Sequence, residues 1–479
     1  MILKNHQLLS FAKIINYALW LLFIINLSYL IYNFPNIPVW NYGSVLKING
    51  FTVLIWTLVT FFSALIGSYG KSYLEGFRYH AKFSMLCLGF TFSIMVFVMS
   101  NHVLLLLIMW LLMGVFMSKL IGVDATWGEA REASKFALKY FVAGSFFLSF
   151  GVLLLACQVD SLALSEIISK ISEVPQHITI ISGLCIIIAA LIQSAIYPFH
   201  RWLLSAMTAP TPASALMHAG FVNGSGILLT LFSTVLFASN TLIILFIIGG
   251  LTAVAAQFAK LLQVNVKQKL ACSTIAQMGF MIMQCGLGFF NAAVVHLILH
   301  GFYKAYLFLS AGEEIGLSKP QNLMTIKIKP SQAIIVLFYG IVGAFMFAFL
   351  TGKGTKLNSG IFLILIVAIT VGQATYNIVK EQSLSILQKS FLPPLLFVCG
   401  MVTYALIYKG VTLVMSDMPM AVVPLPLSVI QIAFGILFLA GFFIMKLGIY
   451  RKYPWLYVKL LNISQPYKKT VLMYKSKSI

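Results

Sequence analysis

Long apolar stretches recur along this chain of 479 residues, and they limit what it can fold into. Most are close to the roughly 20 residues that an α-helix needs to cross the hydrocarbon core of a bilayer. Hydrophobic residues make up 60% of the sequence and charged residues 9%, which is more apolar surface than a soluble core could bury. Because backbone polar groups must be paired inside lipid, we predict an all-α polytopic membrane protein.

About fourteen transmembrane helices are predicted from these stretches. They lie near residues 11–32, 51–69, 83–99, 102–118, 136–157, 178–208, 211–237, 241–259, 271–289, 291–311, 332–350, 359–378, 391–408 and 427–447. The first stretch is too long for the core of a signal peptide and shows no clear cleavage site, so we expect it to be retained.

The formal net charge of +21 is distributed unevenly over the loops between these stretches. With the N-terminus in the cytoplasm, most of the 32 Lys and Arg fall in cytoplasmic loops, as the positive-inside rule requires. We therefore predict a multi-pass protein of the cell inner (cytoplasmic) membrane with both termini in the cytoplasm and no nucleic-acid partner. The basic segment from Arg451 onward is expected to lie on the anionic lipids of the inner leaflet or, alternatively, on a partner.

Three titratable residues share one face of the apolar stretch 291–311. His296, His300 and Lys304 are four residues apart, so on a helix they form a column with about 6 Å of rise between neighbours. Ionisable groups at membrane depth are costly and usually mark an ion or proton path. Imidazoles and a buried amine can both accept and release protons. The column therefore predicts a proton path; simple solvation near the outer end of the helix is the alternative for His296.

Two groups in the preceding stretch could extend this path. Ser273 offers a hydroxyl that could hold water in a relay. Lys267 lies at the cytoplasmic end of that stretch, where anchoring at the membrane surface and proton uptake are equally open interpretations.

The stretch 178–208 is longer than one crossing requires and is interrupted by polar residues and a proline. Pro198 removes a backbone donor, so a broken helix is predicted near it. Broken helices are tolerated at membrane depth where they line protein-buried or water-filled space. We place Gln193 and His218, which lies at the start of the next helix, in the proton path, with Gln193 as a hydrogen-bonding residue that cannot titrate. For His218, a bond to a neighbouring helix is the alternative.

The six cysteines are spaced singly and form no CxxC or CxxH group. Packing is therefore a better interpretation than a metal site or a disulfide framework. We predict no metal, no cofactor and no catalytic residue.

Motifs between about Trp110 and Gly312 resemble the antiporter-like membrane subunits of respiratory complex I (the NuoL-like group) and of Mrp-type cation/proton antiporters. The motifs are Pro198-Phe-His-Arg-Trp, Ala209-Pro-Thr-Pro-Ala-Ser-Ala-Leu-Met-His-Ala, Lys267-Gln-Lys-Leu-Ala-Cys-Ser-Thr-Ile-Ala-Gln-Met-Gly-Phe and the column His296, His300 and Lys304. A narrower resemblance is to the DabB subunits of two-component inorganic carbon pumps. It is carried by Gln277-Met-Gly-Phe-Met-Ile-Met-Gln-Cys-Gly-Leu-Gly288, the column, and Phe308-Leu-Ser-Ala-Gly312.

The resemblance implies an antiporter-like fold with four regions. Residues 1–101 would be N-terminal transmembrane helices, 102–350 an antiporter-like proton-conducting core, 351–448 C-terminal transmembrane helices and 449–479 a basic cytoplasmic tail. In the DabB group the partner, DabA, is a zinc protein with a carbonic-anhydrase-like site, and the membrane subunit is thought to couple an ion gradient to uptake.

Three positions depart from the pattern of the complex I subunits. Leu111 follows Trp110 where those subunits have a glutamate, Gln193 stands where they have a lysine, and Asn265 replaces an acidic residue. All 11 Asp and Glu fall in loops or at the ends of apolar stretches. The column is therefore expected to have no carboxylate partner at membrane depth.

The predicted function is that of a membrane subunit in an energy-coupled uptake complex for CO2 or bicarbonate. The chain would conduct protons, or another cation, to drive a DabA-like zinc-binding subunit, and would be a transporter subunit rather than an enzyme. One alternative is a proton-translocating subunit of respiratory complex I, an NADH:quinone oxidoreductase, or of an Mrp-type Na+/H+ antiporter. Another is a scaffold that conducts nothing and anchors a soluble partner.

Overall fold

The computed structural model describes residues 2–317, 338, 341–343, 345–350, 358–362, 364, 386–426, 428–446 and 453–471. Within these ranges the secondary structure is almost entirely helical, apart from one short antiparallel hairpin after the first helix. A helix pairs backbone groups within its own segment, which is what an apolar stretch in lipid requires. The prediction of an all-α fold is confirmed.

The helices are numbered here in chain order, with 3-10 turns left unnumbered. The elements are α1 (Ile2–Asn33), β1 (Trp40–Tyr42), β2 (Leu46–Ile48), α2 (Gly50–Tyr73), α3 (His80–Met99), α4 (Val103–Ile121), α5 (Gly128–Val159), α6 (Leu164–Ser169), α7 (Gln176–Gln193), α8 (Arg201–Ser205), α9 (Thr211–Ala219), α10 (Gly224–Leu231), α11 (Ser233–Ala238), α12 (Leu242–Leu261), α13 (Val266–Gly286), α14 (Phe290–Leu317), α15 (Ile386–Val414), α16 (Val429–Lys446) and α17 (Pro454–Ile463). The strands pair with Asn41 opposite Lys47.

Ten segments among the described residues are long and apolar enough to cross a membrane. They are Phe11–Asn33, Gly50–Tyr73, His80–Met99, Val103–Ile121, Gly128–Val159, Gln176–Gln193, Thr211–Leu231, Leu242–Leu261, Phe290–Ala311 and Leu395–Val414. A multi-pass membrane protein is therefore confirmed, whereas the count of about fourteen spans stays a prediction. The predicted spans 332–350 and 359–378 lie largely outside the described residues.

The backbones of α12 and α13 are in close contact. A Cβ atom on Gly279 would lie 2.6 Å from the carbonyl oxygen of Gly249 and 2.8 Å from the backbone nitrogen of Ala253. Glycines at helix crossings permit this approach, and the resulting dispersion contacts stabilise helix pairs in membranes. The pair also supports the candidate site, because α13 packs in turn against α14.

Two helices in the bundle are interrupted, where one break was predicted. The first break follows Gln193, includes Ala195 with φ of 54°, and ends at α8. It confirms the predicted break near Pro198. The second follows Gly220, where a 3-10 turn separates α9 from α10. This second break was not predicted: residues 211–237 were expected to form one span, since no proline lies at the break and glycine is common in transmembrane helices.

Hydrogen bonds join the two breaks to each other and to α14. Gln193 Nε2 donates to the carbonyl oxygen of Phe221 at 3.0 Å, and Ser194 Oγ donates to that of Val222 at 2.6 Å. Asn223 Nδ2 donates to a carbonyl oxygen of α14 at 3.3 Å. These bonds pair some of the carbonyls that the interruptions release, which would otherwise be costly to bury.

The described C-terminal segment packs against the first break. His200 Nε2 lies 2.7 Å from the carbonyl oxygen of Ile463, and the backbone nitrogen of Tyr467 donates to Ser205 Oγ at 2.9 Å. The Tyr467 ring also stacks on Phe136, with 4.3 Å between ring centroids. The tail was expected to lie on lipid or on a partner, whereas part of it is bound to the chain's own core.

Candidate functional site

Lys304 lies in the middle of α14 and is fully buried, with 0% of its surface exposed. Its Nζ donates to the carbonyl oxygen of Leu270 on α13 at 3.0 Å, and Thr274 Oγ1 donates to the same oxygen at 3.1 Å. In the described part of the chain the single ion pair joins Lys135 to Glu132, so Lys304 has no carboxylate partner there. The amine is therefore held by a peptide dipole and not by a counter-ion.

The two histidines precede Lys304 on α14 with the predicted spacing. The ring centroids of His296 and His300 are 6.2 Å apart; His300 is 4% exposed and His296 is half-buried. Neither ring nitrogen of His300 has a hydrogen-bond partner among the described protein atoms. Buried polar groups are almost always hydrogen-bonded, so both nitrogens of this imidazole are available to bond a water.

His218 lies on the second broken helix and packs beside the column. It is fully buried near the end of α9, and its ring stacks on that of Phe308, with 4.2 Å between centroids and 13° between planes. It interacts electrostatically with both Lys304 and His300. Both of its ring nitrogens lack a hydrogen-bond partner in the described ranges, so the alternative of a bond to a neighbouring helix is not supported there.

The helices α13 and α14 run in opposite directions, and the start of α13 contacts the middle of α14. Lys267, at the start of α13, therefore lies at the Lys304 end of the column. Its Nζ donates to the carbonyl oxygen of Ala209 at 2.9 Å. It also lines a cavity of about 220 Å³, which has room for roughly seven waters at about 30 Å³ each. The other polar residues lining this cavity are Ser205, Thr208, Asn265, Gln268 and Thr470.

Two predicted site residues make no hydrogen bond to the column within the described ranges. Gln193 is buried and bonded to Phe221, so it ties the two breaks together. Ser273 is buried on α13, but within the described ranges no hydrogen bond joins it to the lysine or the histidines. Their role in a proton path stays a prediction, as does that of the column itself.

Lys260 and Phe308 belong to the site but were not predicted. Lys260, at the end of α12, is close enough to Lys304 for the two amines to repel each other. It lies at the end of an apolar stretch, where lysines commonly anchor a helix at the membrane surface. Phe308 follows Lys304 by four residues, so extending the column spacing by one step would have found it.

No group of three or more His, Cys, Asp or Glu side chains that could hold a metal ion occurs within the described ranges. All six cysteines are free, and Cys87, Cys185, Cys272 and Cys285 are buried. The titratable groups described at this site are amines and imidazoles.

A bundle of apolar helices with two interrupted helices around buried titratable groups defines a class of membrane protein that moves ions or solutes. Residues 100–371 match the family described as NADH:quinone oxidoreductase/Mrp antiporter, transmembrane. The match covers more than half of the chain, and the chain belongs to this family.

Similar proteins within this family include DabB proteins. A protein of Bacillus subtilis (strain 168) named "Probable inorganic carbon transporter subunit DabB" is 37% identical over 265 residues, which cover 54% of this chain and 52% of the relative. The corresponding DabB2 of Halothiobacillus neapolitanus is 31% identical over 371 residues, covering 77% of this chain and 62% of the relative. The chain thus spans between half and two thirds of the length of these relatives.

A solved structure shows the same fold. A chain in the structure of the Mrp complex from Dietzia sp. DQ12-45-1b superposes with a TM-score of 0.65 and 21% sequence identity, covering 95% of this chain and 56% of that one. The expected antiporter-like fold is confirmed.

Proposed function

We propose that this chain is the membrane subunit of an energy-coupled inorganic carbon uptake complex in the cell inner membrane, with both termini in the cytoplasm. Residues 102–350 are the conducting core in this proposal. Protons, or another cation, pass along Lys267, Lys304, His300 and His296, and the flow drives a DabA-like zinc-binding partner that handles CO2 or bicarbonate. The DabB relatives supply the substrate class and the expectation of a partner subunit.

The observation that carries this proposal is the fully buried Lys304 amine, which has imidazoles on two sides and no carboxylate partner in the described ranges. An unpaired ammonium at such depth is costly, so a lysine without a use there would only destabilise the protein. Imidazoles and amines exchange protons, whereas a Na+ site would need several oxygen ligands. The residues therefore favour H+ as the coupling ion.

A path through this column needs waters between its groups. The unpartnered nitrogens of His218 and His300 are suited to hold such waters at the level of Lys304. At the opposite end of the column from His296, the cavity lined by Lys267 has polar walls close to Lys304.

The decisive experiment is Lys304→Met, which keeps the length of the side chain and removes its amine. We expect the complex to assemble and carbon-dependent growth in air to be lost, with rescue at elevated CO2. Lys135→Met is the matched control, because that lysine is exposed and pairs only with Glu132. Normal carbon uptake by an assembled Lys304→Met complex would refute the proposal.

A second candidate function is proton translocation in respiratory complex I or in an Mrp-type antiporter, to which the family description and the Mrp-like fold also point. The absence of carboxylates around Lys304 in the described ranges speaks against the lysine–glutamate pairing of those subunits. Deletion separates the candidates. Loss of NADH oxidation or of sodium tolerance supports the second, and loss of growth in air supports the first.

A further inference from the structure

A groove of about 540 Å³ runs between the start of α8 and the C-terminal helix α17. Two cations line it from its two sides, Arg201 on α8 and Lys459 on α17. Within the described ranges neither makes an ion pair, and no acidic side chain lines the groove. Two like charges that line one groove repel each other, and an anion bound between them would offset that repulsion.

The surroundings of this groove are those of a membrane surface. Trp455 and Val458, which also line it, are 66% and 52% exposed, and Trp is enriched where a membrane protein meets the headgroup layer. The helix α17 follows the apolar helix α16 in the chain. Further Lys and Arg flank it in the sequence, at Arg451 and Lys452.

We propose that this groove binds the headgroup of an anionic phospholipid, which bridges Arg201 and Lys459. A planar guanidinium recognises phosphate by paired hydrogen bonds, and the ammonium adds a point charge. Asn462 lines the same groove and offers an amide donor for a further phosphate or glycerol oxygen. The acyl chains lie along the exposed side chains of Trp455 and Val458. A lipid is favoured over an acidic protein segment because Trp455 and Val458 expose apolar surface at this rim.

The lipid would reinforce a contact that is already built into the fold. Arg201 directly follows His200, whose ring bonds to the carbonyl oxygen of Ile463 at the end of α17. A headgroup held between Arg201 and Lys459 therefore fastens the C-terminal helix to the first broken helix. The site goes beyond the proposed transport function and does not depend on it.

The test compares lipid retention by two double variants of the full chain. Arg201→Gln/Lys459→Gln removes the two groove cations, and Lys468→Gln/Lys469→Gln removes two exposed cations outside the groove with the same change in net charge. Each protein is purified from vesicles of equal phosphatidylglycerol and phosphatidylcholine content, and retained lipids are counted by native mass spectrometry. Thermal unfolding of each variant verifies that it is folded.

We expect the wild-type chain and the Lys468/Lys469 variant to retain phosphatidylglycerol over phosphatidylcholine, and the groove variant to lose that preference several-fold. Equal retention by the groove variant would overturn the proposal, as would equal retention of the two lipids by the wild type. Displacement of the lipid by millimolar inorganic phosphate would overturn the choice of a lipid as ligand. The readout needs no transport, so its failure and that of the proposed function are distinguishable.

Discussion

At the scale of single residues, the main finding is how Lys304 is held. Among the described residues its Nζ has one protein acceptor, the carbonyl oxygen of Leu270, in place of the carboxylate that a buried amine usually requires. The spacing of His296, His300 and Lys304 predicted their alignment correctly. The Leu270 acceptor could not be predicted, because a backbone carbonyl has no signature in the sequence and its position depends on how α13 crosses α14.

Lys304→Arg separates the charge of this residue from its ability to exchange protons. Arginine keeps the positive charge and hydrogen-bond donors, but its guanidinium does not lose its proton in proteins. We therefore expect carbon uptake to fall as far as in Lys304→Met, although the complex still assembles. Lys135→Arg should have no effect. Uptake at wild-type level in Lys304→Arg would mean that the charge alone suffices.

His218→Phe tests whether the imidazole from the second broken helix relays protons. Phenylalanine retains an aromatic ring against Phe308, so we expect the stability of the protein to change little. The response of proteoliposomes to an imposed pH gradient should fall several-fold, because a phenyl ring neither accepts a proton nor holds water. An unchanged response in the folded variant would remove His218 from the path.

At the scale of elements, the sequence predicted the helices well, but it predicted only one of the two helix interruptions. The first apolar stretch, predicted at 11–32, is observed as a span over Phe11–Asn33. The break near Pro198 was predicted because proline cannot donate in a helix. The break at Gly220 was not, since glycine is common in transmembrane helices and usually leaves them continuous.

Gly279→Ala tests the close crossing of α12 and α13. The new methyl group would lie 2.6 Å from the carbonyl oxygen of Gly249, and a backbone atom cannot move aside as a side chain can. Overpacking of this kind costs about 1–3 kcal/mol, so we expect a lower temperature of thermal unfolding in detergent. Gly410→Ala is the control, because a methyl group there would have no described atom within 4 Å. Equal stability of the two variants would contradict the close crossing.

At the scale of the whole molecule, the sequence predicted a polytopic antiporter-like protein but not how its C-terminal segment is placed. The contacts of Tyr467 with Phe136 and Ser205 join residues far apart in the chain, and each partner looks ordinary in its own segment. Such pairings depend on the assembled bundle. Composition and local pattern therefore predicted only that the segment is basic and lies near a membrane surface.

The proposed complex makes a prediction about metal content. Since the described ranges hold no cluster of metal ligands, zinc should belong to the partner subunit. We expect the purified complex to contain zinc, and this chain to contain none after the two subunits are separated. Elemental analysis of each fraction checks this. Zinc that stays with this chain would contradict the assignment.

The bonds between the interrupted helices have a consequence for motion. Gln193 ties the first break to the second, and Asn223 ties the second to α14. A tilt of either half-helix would strain these bonds, and His218 lies on the second broken helix. In the proposed proton path, the polar side chains at the breaks therefore connect the position of the His218 ring to the arrangement of the two broken helices.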